Sequence, residues 1–501
     1  MPTFPLRTHL PLFVLALGAL WVALGYPALW GVPPSGVHLW RQADSASIAY
    51  NYALHGWQFW QPQLHQLFTN GDPHTVGEFP IWYYLASLFG APERPPENAL
   101  RSVHLFVFAV GLFALGRLTW RFTEDRWVAL GLPLLVSTSP VVAYYAFNFL
   151  PNVPALGCAL VGWWGGFSFL NTQQRWRLGL GMVAFLLAGL TKPTAAVSLI
   201  AILLTWGTSL FPGKNKKRPA RHLWIGGTLV LLGLLAWNGY MAYYKALHHN
   251  TYFLAQTKPI WTAPWETITD TLSRIWHLWL PDYGHWSLHL SVLSAVVFIG
   301  WRLRNKRYRL FLGWLFLGVG AIALLFFRQL HHHDYYYVDL YVLPVAVLLF
   351  GLMAIPKRWR SHWLFRFLLV GLIVLNTYHA RHIIAFRSAP GSKYMGRFNY
   401  DLHDRVPLQA FLDSIGVDRN ARIVSLPDDS PNNTLYFLDR PGWTRFRAKP
   451  FTADTLRRRI DMGAEYLIVT RKEWLDEAAV QPFLTKPLGD FRGSVFVFRL
   501  K

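Results

Sequence analysis

From residue 10 to residue 386 the chain alternates long apolar runs with short bursts of basic residues, and few folds tolerate that pattern. A helix that crosses a bilayer needs about 20 apolar residues, because no water is there to satisfy a broken backbone. A soluble chain would disperse its charges over roughly a quarter of its residues; here 15% of residues are charged and 53% are hydrophobic. The runs predict an all-α polytopic membrane protein with about eleven transmembrane helices. They lie near 10–30, 99–118, 127–147, 150–170, 178–190, 193–211, 222–244, 287–301, 310–328, 337–355 and 364–386. Thr191-Lys192-Pro193 separates the fifth from the sixth, with one kinked helix as the competing reading. The first run lacks a small-x-small cleavage site and reads as an uncleaved span.

Where the basic residues sit decides orientation. Lys214, Lys216, Lys217, Arg218 and Arg221 form one burst; Arg302, Arg304, Lys306, Arg307 and Arg309 form another. Lys and Arg resist translocation and mark the cytoplasmic side. With the N-terminus inside, both bursts fall inside, together with Arg117, Arg121, Arg175 and Arg177. This placement also explains the net charge of +22 without invoking a nucleic-acid partner. The only cysteine, Cys158, lies within a span, so no intrachain disulfide can form.

Acidic residues gather on the opposite face. Of the twelve before residue 387, only Glu124 and Asp125 fall inside. Acids set topology weakly, so their gathering outside points to chemistry there. The outer face is built from the loops 31–98 and 245–286. Residues 387–501 turn to soluble composition and read as a small α/β domain on the outer, periplasmic side. Strands are expected at Arg422–Leu426 and Glu465–Val469, and helices at Pro407–Ile415 and Thr452–Ile460.

Several outer residues could carry chemistry. Trp40-Arg41-Gln42-Ala43-Asp44 opens the first outer helix, and a carboxylate there can take a proton from a hydroxyl or simply favour the helix dipole. Glu78, in Gly77-Glu78-Phe79-Pro80, could bind a metal, orient an acceptor or cap the following helix. Asn148 and Asn152 sit in an outer hairpin, where Asn is often turn chemistry. Lys192 sits at an outer turn, where an ammonium calls for an anion or snorkels to the surface. His331, His332, His333 and Asp334 could bind zinc or phosphate, or sit solvated beside an aromatic belt; adjacent residues rarely ligate one ion well.

The Trp-Arg-Gln-x-Asp element, the Glu-Phe-Pro element, the Phe-Leu-Pro-Asn-x-Pro hairpin at 149–154 and the Lys-Pro turn resemble membrane glycosyltransferases of the C superfamily. The type is that of the protein-mannosyltransferases and aminoarabinose transferases (glycosyltransferase family 39-like), over about residues 1–385. The resemblance implies a polyprenyl-phosphate-linked sugar donor and a lipid, glycan or protein acceptor. It places the catalytic base at Asp44 and a second catalytic carboxylate at Glu78, where some members hold a divalent metal. Arg41, Asn148, Asn152, Lys192, His331, His332, His333 and Asp334 are then the candidate substrate-binding residues. Members often carry Asp where this chain has Asn152. The implied enzyme is an inverting transferase, multi-pass in the inner (plasma) membrane. A transporter or lipid flippase is the alternative, but it would place ionisable groups at mid-span and show repeated halves, and the chain shows neither. A membrane scaffold presenting the C-terminal domain would explain the spans but not the one-sided acids.

Overall fold

The computed structural model describes residues 6–68, 70–91, 95–207, 217–250, 252–253, 257–389 and 398–501. Lys214 and Lys216 of the first basic burst lie outside the described residues. The chain forms two compact units: Met1–Trp30, Arg101–Gly239 and Ala255–Phe386 make one, and Gly31–Leu100, Tyr240–Leu254 and Arg387–Lys501 make the other. The C-terminal residues thus share a unit with Gly31–Leu100 and Tyr240–Leu254.

The first unit is helical. Among the described residues, six helices are long and apolar enough to cross a membrane: Glu97–Thr123, Asn152–Thr172, Ala220–Leu247, Lys306–Leu325, Tyr336–Ala354 and Trp363–Ser388. Two bent helix pairs reach the same length and apolarity only when each is taken together, as a broken span or a re-entrant loop. Arg126–Ser137 and Pro140–Ala146 meet at 80°, and Trp265–Tyr283 and Trp286–Arg302 meet at 95°. The other expected spans fall on shorter helices: Arg7–Ala23, Arg175–Thr191 and Pro193–Gly207. The Lys192 break is real. Arg175–Thr191 ends there, Lys192 is extended at φ −144°, and a 3-10 turn restarts the chain at Pro193, because proline supplies no N–H and disfavours a helical residue before it.

Small residues let these helices approach closely. A Cβ on Gly165 would lie 2.5 Å from the Gly181 Cα, and one on Gly111 would lie 2.5 Å from the Gly157 Cα. In lipid, where apolar burial drives nothing between helices, such contact is what holds them.

The second unit carries a five-stranded sheet. Its strands are β1 (Ile423–Leu426), β2 (Gly442–Trp443), β3 (Tyr466–Val469), β4 (Pro487–Phe491) and β5 (Val495–Arg499), in the order β2-β1-β3-β5-β4. β1 pairs in parallel with both β2 and β3, and β5 runs antiparallel to β3 and β4. Three helices, Arg405–Ser414, Asn433–Leu438 and Ala453–Asp461, complete the domain. The first loop adds to its edge: the Leu67 N–H donates to the Gly442 carbonyl (2.6 Å) and the Gly442 N–H donates to the His65 carbonyl (2.9 Å). Leu67 then joins a core of Val424, Leu426, Trp443, Leu456, Leu467 and Val469.

Candidate active site

The helix expected to open with the Trp40–Asp44 element begins at Leu39 and runs to Leu54. Gln42 fixes that start: its Nε2 donates to the Val37 carbonyl at 2.8 Å, and its Oε1 accepts from the Ser35 N–H at 3.2 Å. Asp44 therefore sits in the second turn, which removes the helix-dipole explanation for it. At three residues' spacing, Arg41 and Asp44 share a face.

Asp44 is fully buried. Its Oδ2 accepts the Tyr252 hydroxyl at 2.6 Å, and Arg41 Nη1 stands 3.7 Å away. Its Oδ1 has no hydrogen-bond partner among the described residues. Burial pushes the Asp44 carboxyl up to about 7, against the opposing pull of Arg41 and the Tyr252 hydrogen bond, while Glu78 adds to the rise. A carboxyl tuned near neutrality with one open lone pair is equipped to accept a proton.

Glu78 is held differently. Its Oε1 takes Arg41 Nη2 at 2.5 Å and the Tyr83 hydroxyl at 2.6 Å. The helix after it, Ile81–Ser87, has Pro80 as its N-cap and no side-chain cap, so Glu78 is not a cap. Arg41 lies over the Phe253 ring at 4.7 Å. The guanidinium thus sits tightly on Glu78 and loosely on Asp44, which leaves Asp44 the less satisfied of the two acids. Glu78 also lines a small cleft of about 220 Å³, open solvent included, with Ile48, Thr75, Tyr83 and Phe253. The Thr75 hydroxyl is buried there without a hydrogen-bond partner among the described residues.

As a metal ligand Glu78 fits poorly, being already neutralised by a guanidinium. The one set of His, Cys, Asp or Glu side chains among the described residues with ligand atoms within 4.8 Å of one another is Asp72, His74 and His248.

The remaining candidates belong to the first unit. Asn152 Nδ2 donates to Asp339 Oδ1 at 2.8 Å, and the Thr194 hydroxyl donates to Asp339 Oδ2 at 2.9 Å. Asn152 thus has a carboxylate against it from another helix. Lys192 is within electrostatic reach of that buried Asp339, and its Nζ lies 5.9 Å from the Tyr335 ring centre. Asp334 is buried and accepts the Tyr145 hydroxyl at 2.7 Å. Asn148 is buried, and its Oδ1 accepts the Phe149 N–H at 2.6 Å. The histidines do not converge. His331 pairs with Asp270 at 2.6 Å and abuts His332, while His333 lies against the rings of Tyr335 and Tyr336.

Sequence reasoning missed Tyr252, Tyr83, Thr194 and the partnership of Asp339 with Asn152. Apart from Tyr83 on Glu78, five residues away, these contacts join residues 145 to 208 positions apart, and no local pattern encodes them.

No family model matches the chain, and no curated protein matches its sequence. Among solved structures, ArnT from Cupriavidus metallidurans in the apo state aligns over 98% of this chain and 98% of its own, with a TM-score of 0.64 and 14% identity. The archaeal oligosaccharyltransferase AglB from Archaeoglobus fulgidus, in complex with an inhibitory peptide and a dolichol-phosphate, covers 91% of this chain and 69% of its own, at 0.49 and 12%. The Archaeoglobus fulgidus oligosaccharyltransferase in complex with Zn and sulfate covers 90% and 67%, at 0.48 and 13%. The likeness to ArnT is one of fold, and it extends over nearly the whole of both chains.

Proposed function

We propose that this protein moves a sugar from a polyprenyl-phosphate-linked donor to an acceptor hydroxyl at the outer face of the membrane, with Asp44 as general base. The observation that carries the reading is the Asp44 carboxyl: buried, raised to about 7, and open at Oδ1. The acceptor O–H gives its proton to Asp44 as its oxygen attacks the anomeric carbon. The bond from that carbon to the phosphate oxygen breaks, and the electron pair leaves with the polyprenyl phosphate. A single displacement inverts the anomeric centre.

Arg41 and Glu78 act as a pair in this scheme. Glu78 anchors the guanidinium, and Arg41 keeps Asp44 from holding its proton too tightly. In the membrane unit, Lys192 is the cation assigned to the donor phosphate, since a lipid-phosphate leaving group calls for fixed positive charge. The topology supports an outer location for residues 387–501: a compact unit that includes the first outer loop has to lie on that loop's side.

The test is consumption of a lipid-linked sugar by purified protein, with and without a chelator, for wild type and Asp44→Asn. Donor consumption that requires an acceptor hydroxyl and collapses in Asp44→Asn supports the reading. A wild-type protein that moves the intact lipid across vesicles without cleaving it would replace the reading with a flippase.

A further inference from the structure

Two histidines and one aspartate, none of them bonded to Asp44, meet in the second unit. Asp72 Oδ1 faces His74 Nδ1 at 2.5 Å, and Asp72 Oδ2 faces His248 Nδ1 at 2.6 Å. The imidazole rings stack with centres 4.3 Å apart. All three side chains are about four-fifths buried. His74 Nε2 meets the Gln63 carboxamide at 3.1 Å, and the Tyr244 ring covers His248 at 4.4 Å. Neither histidine is needed for the proton transfer assigned to Asp44.

We propose that Asp72, His74 and His248 form a zinc site separate from Glu78. Two imidazole nitrogens and one carboxylate oxygen are the donor types zinc takes, and three protein ligands leave a fourth position open. Magnesium and calcium prefer all-oxygen sets, so imidazole donors argue against them. Gln63 supplies the outer partner that a ligating histidine usually has. Its carboxamide can present either the oxygen or the NH2 group, so it can fix the tautomer that leaves Nδ1 free for metal.

The site also has a consequence for the base. His248 follows the Lys217–Leu247 helix, and Asp72 and His74 belong to the first loop. Beyond His248, Asn250 Nδ2 donates to the His74 carbonyl at 2.7 Å, the Tyr252 N–H donates to Asn250 Oδ1 at 2.7 Å, and the Tyr252 hydroxyl donates to Asp44 at 2.6 Å. A metal joining His248 to Asp72 and His74 clamps this segment to the loop and makes Tyr252 a steady partner of Asp44. That consequence rests on the reading of Asp44 as the base; metal binding does not.

The experiment uses full-length protein freed of any affinity tag and stripped with chelator. Zinc is titrated by calorimetry, and Co2+ is added as a spectroscopic probe. One zinc per chain is expected, with affinity at least tenfold weaker in both His248→Ala and His74→Gln, and unchanged in Glu78→Gln. Cobalt should give the visible absorption of a four-coordinate nitrogen and oxygen site in wild type and lose it in both histidine variants. Two histidine variants of different size guard against a single misfolded one, and elution as wild-type-like monodisperse protein checks each. Equal zinc affinity in wild type and both variants overturns the site. Loss in Glu78→Gln alone also overturns it, by moving the metal to Glu78. These outcomes are read without any transfer assay, so they stand or fall apart from the proposed reaction.

Discussion

At the residue scale, the two acids of the first loop are set apart by how each meets Arg41. Glu78 takes the guanidinium at 2.5 Å and a tyrosine hydroxyl besides, whereas Asp44 has the same guanidinium at 3.7 Å and one oxygen unpartnered among the described residues. Asp44→Asn keeps the volume and the Tyr252 contact but removes basicity. Turnover should fall by about 10²-fold or more with donor affinity near normal, as measured by initial rates beside donor binding; an Asn variant with most of its turnover would sink the mechanism. The pH profile follows from the same group. A base must be deprotonated to act, so kcat/KM of the free enzyme should climb with unit slope below about pH 7 and level off above it. Tyr252 donates to the charged form of Asp44 and lowers its pKa, so Tyr252→Phe should move that limb to higher pH. A limb that stays in place would show that another group titrates. Lys192→Ala should weaken donor binding about tenfold, ~1.5 kcal/mol for a lost charged hydrogen bond, with acceptor binding little changed. Unaltered donor affinity would mean that the lysine serves Asp339 alone.

At the scale of elements, the apolar runs made the helices legible, because a bilayer admits few alternatives to a helix. Their breaks were readable where proline falls, as at Lys192-Pro193. What fixes the start of the Leu39–Leu54 helix was not, since Gln42 sets it by reaching back to Ser35 and Val37. The expected strands at 422–426 and 465–469 lie on β1 and β3, both fully buried. The C-terminal hairpin went unread although Val495-Phe496-Val497-Phe498 follows a Gly-containing turn, because an unbroken apolar run shows no alternation between faces. Small residues at helix contacts give a prediction with opposite signs at two neighbouring positions. Alanine raises helix propensity by about 1 kcal/mol over glycine. At Gly179, where a Cβ meets nothing within 4 Å, Gly179→Ala should leave the melting temperature unchanged or higher. At Gly165 the added Cβ would lie 2.5 Å from the Gly181 Cα, and overpacking costs about 1–3 kcal/mol. Gly165→Ala should melt lower in a thermal unfolding assay in detergent; equal melting of the two variants would mean that this contact does not hold the pair.

For the whole molecule, three segments far apart in sequence are joined in one compact unit, and this binds their topology together. The first loop donates an edge to the C-terminal sheet at His65 and Leu67, His65 pairs with Asp439 at 3.3 Å, and Asn432 reaches both the Ala43 carbonyl and the Gln66 N–H. A polypeptide cannot make these contacts through a bilayer, so any probe in residues 31–98 must report the same side as any probe in residues 398–501. The positive-inside pattern predicts that this shared side is the outer one. The single cysteine makes the measurement clean: Cys158 is buried in a span, and Cys158→Ser gives a cysteine-free background. Gln58→Cys in the first loop and Val406→Cys in the C-terminal domain, both exposed, should react with a membrane-impermeant maleimide on spheroplasts. Lys306→Cys, exposed beside the second basic burst, should react only after permeabilisation. Labelling of Lys306→Cys alone on spheroplasts would invert the orientation and take the proposed chemistry to the cytoplasmic face. Opposite labelling of Gln58→Cys and Val406→Cys would be more damaging, because it would break the unit that holds Asp44 in place, whichever way the chain is oriented.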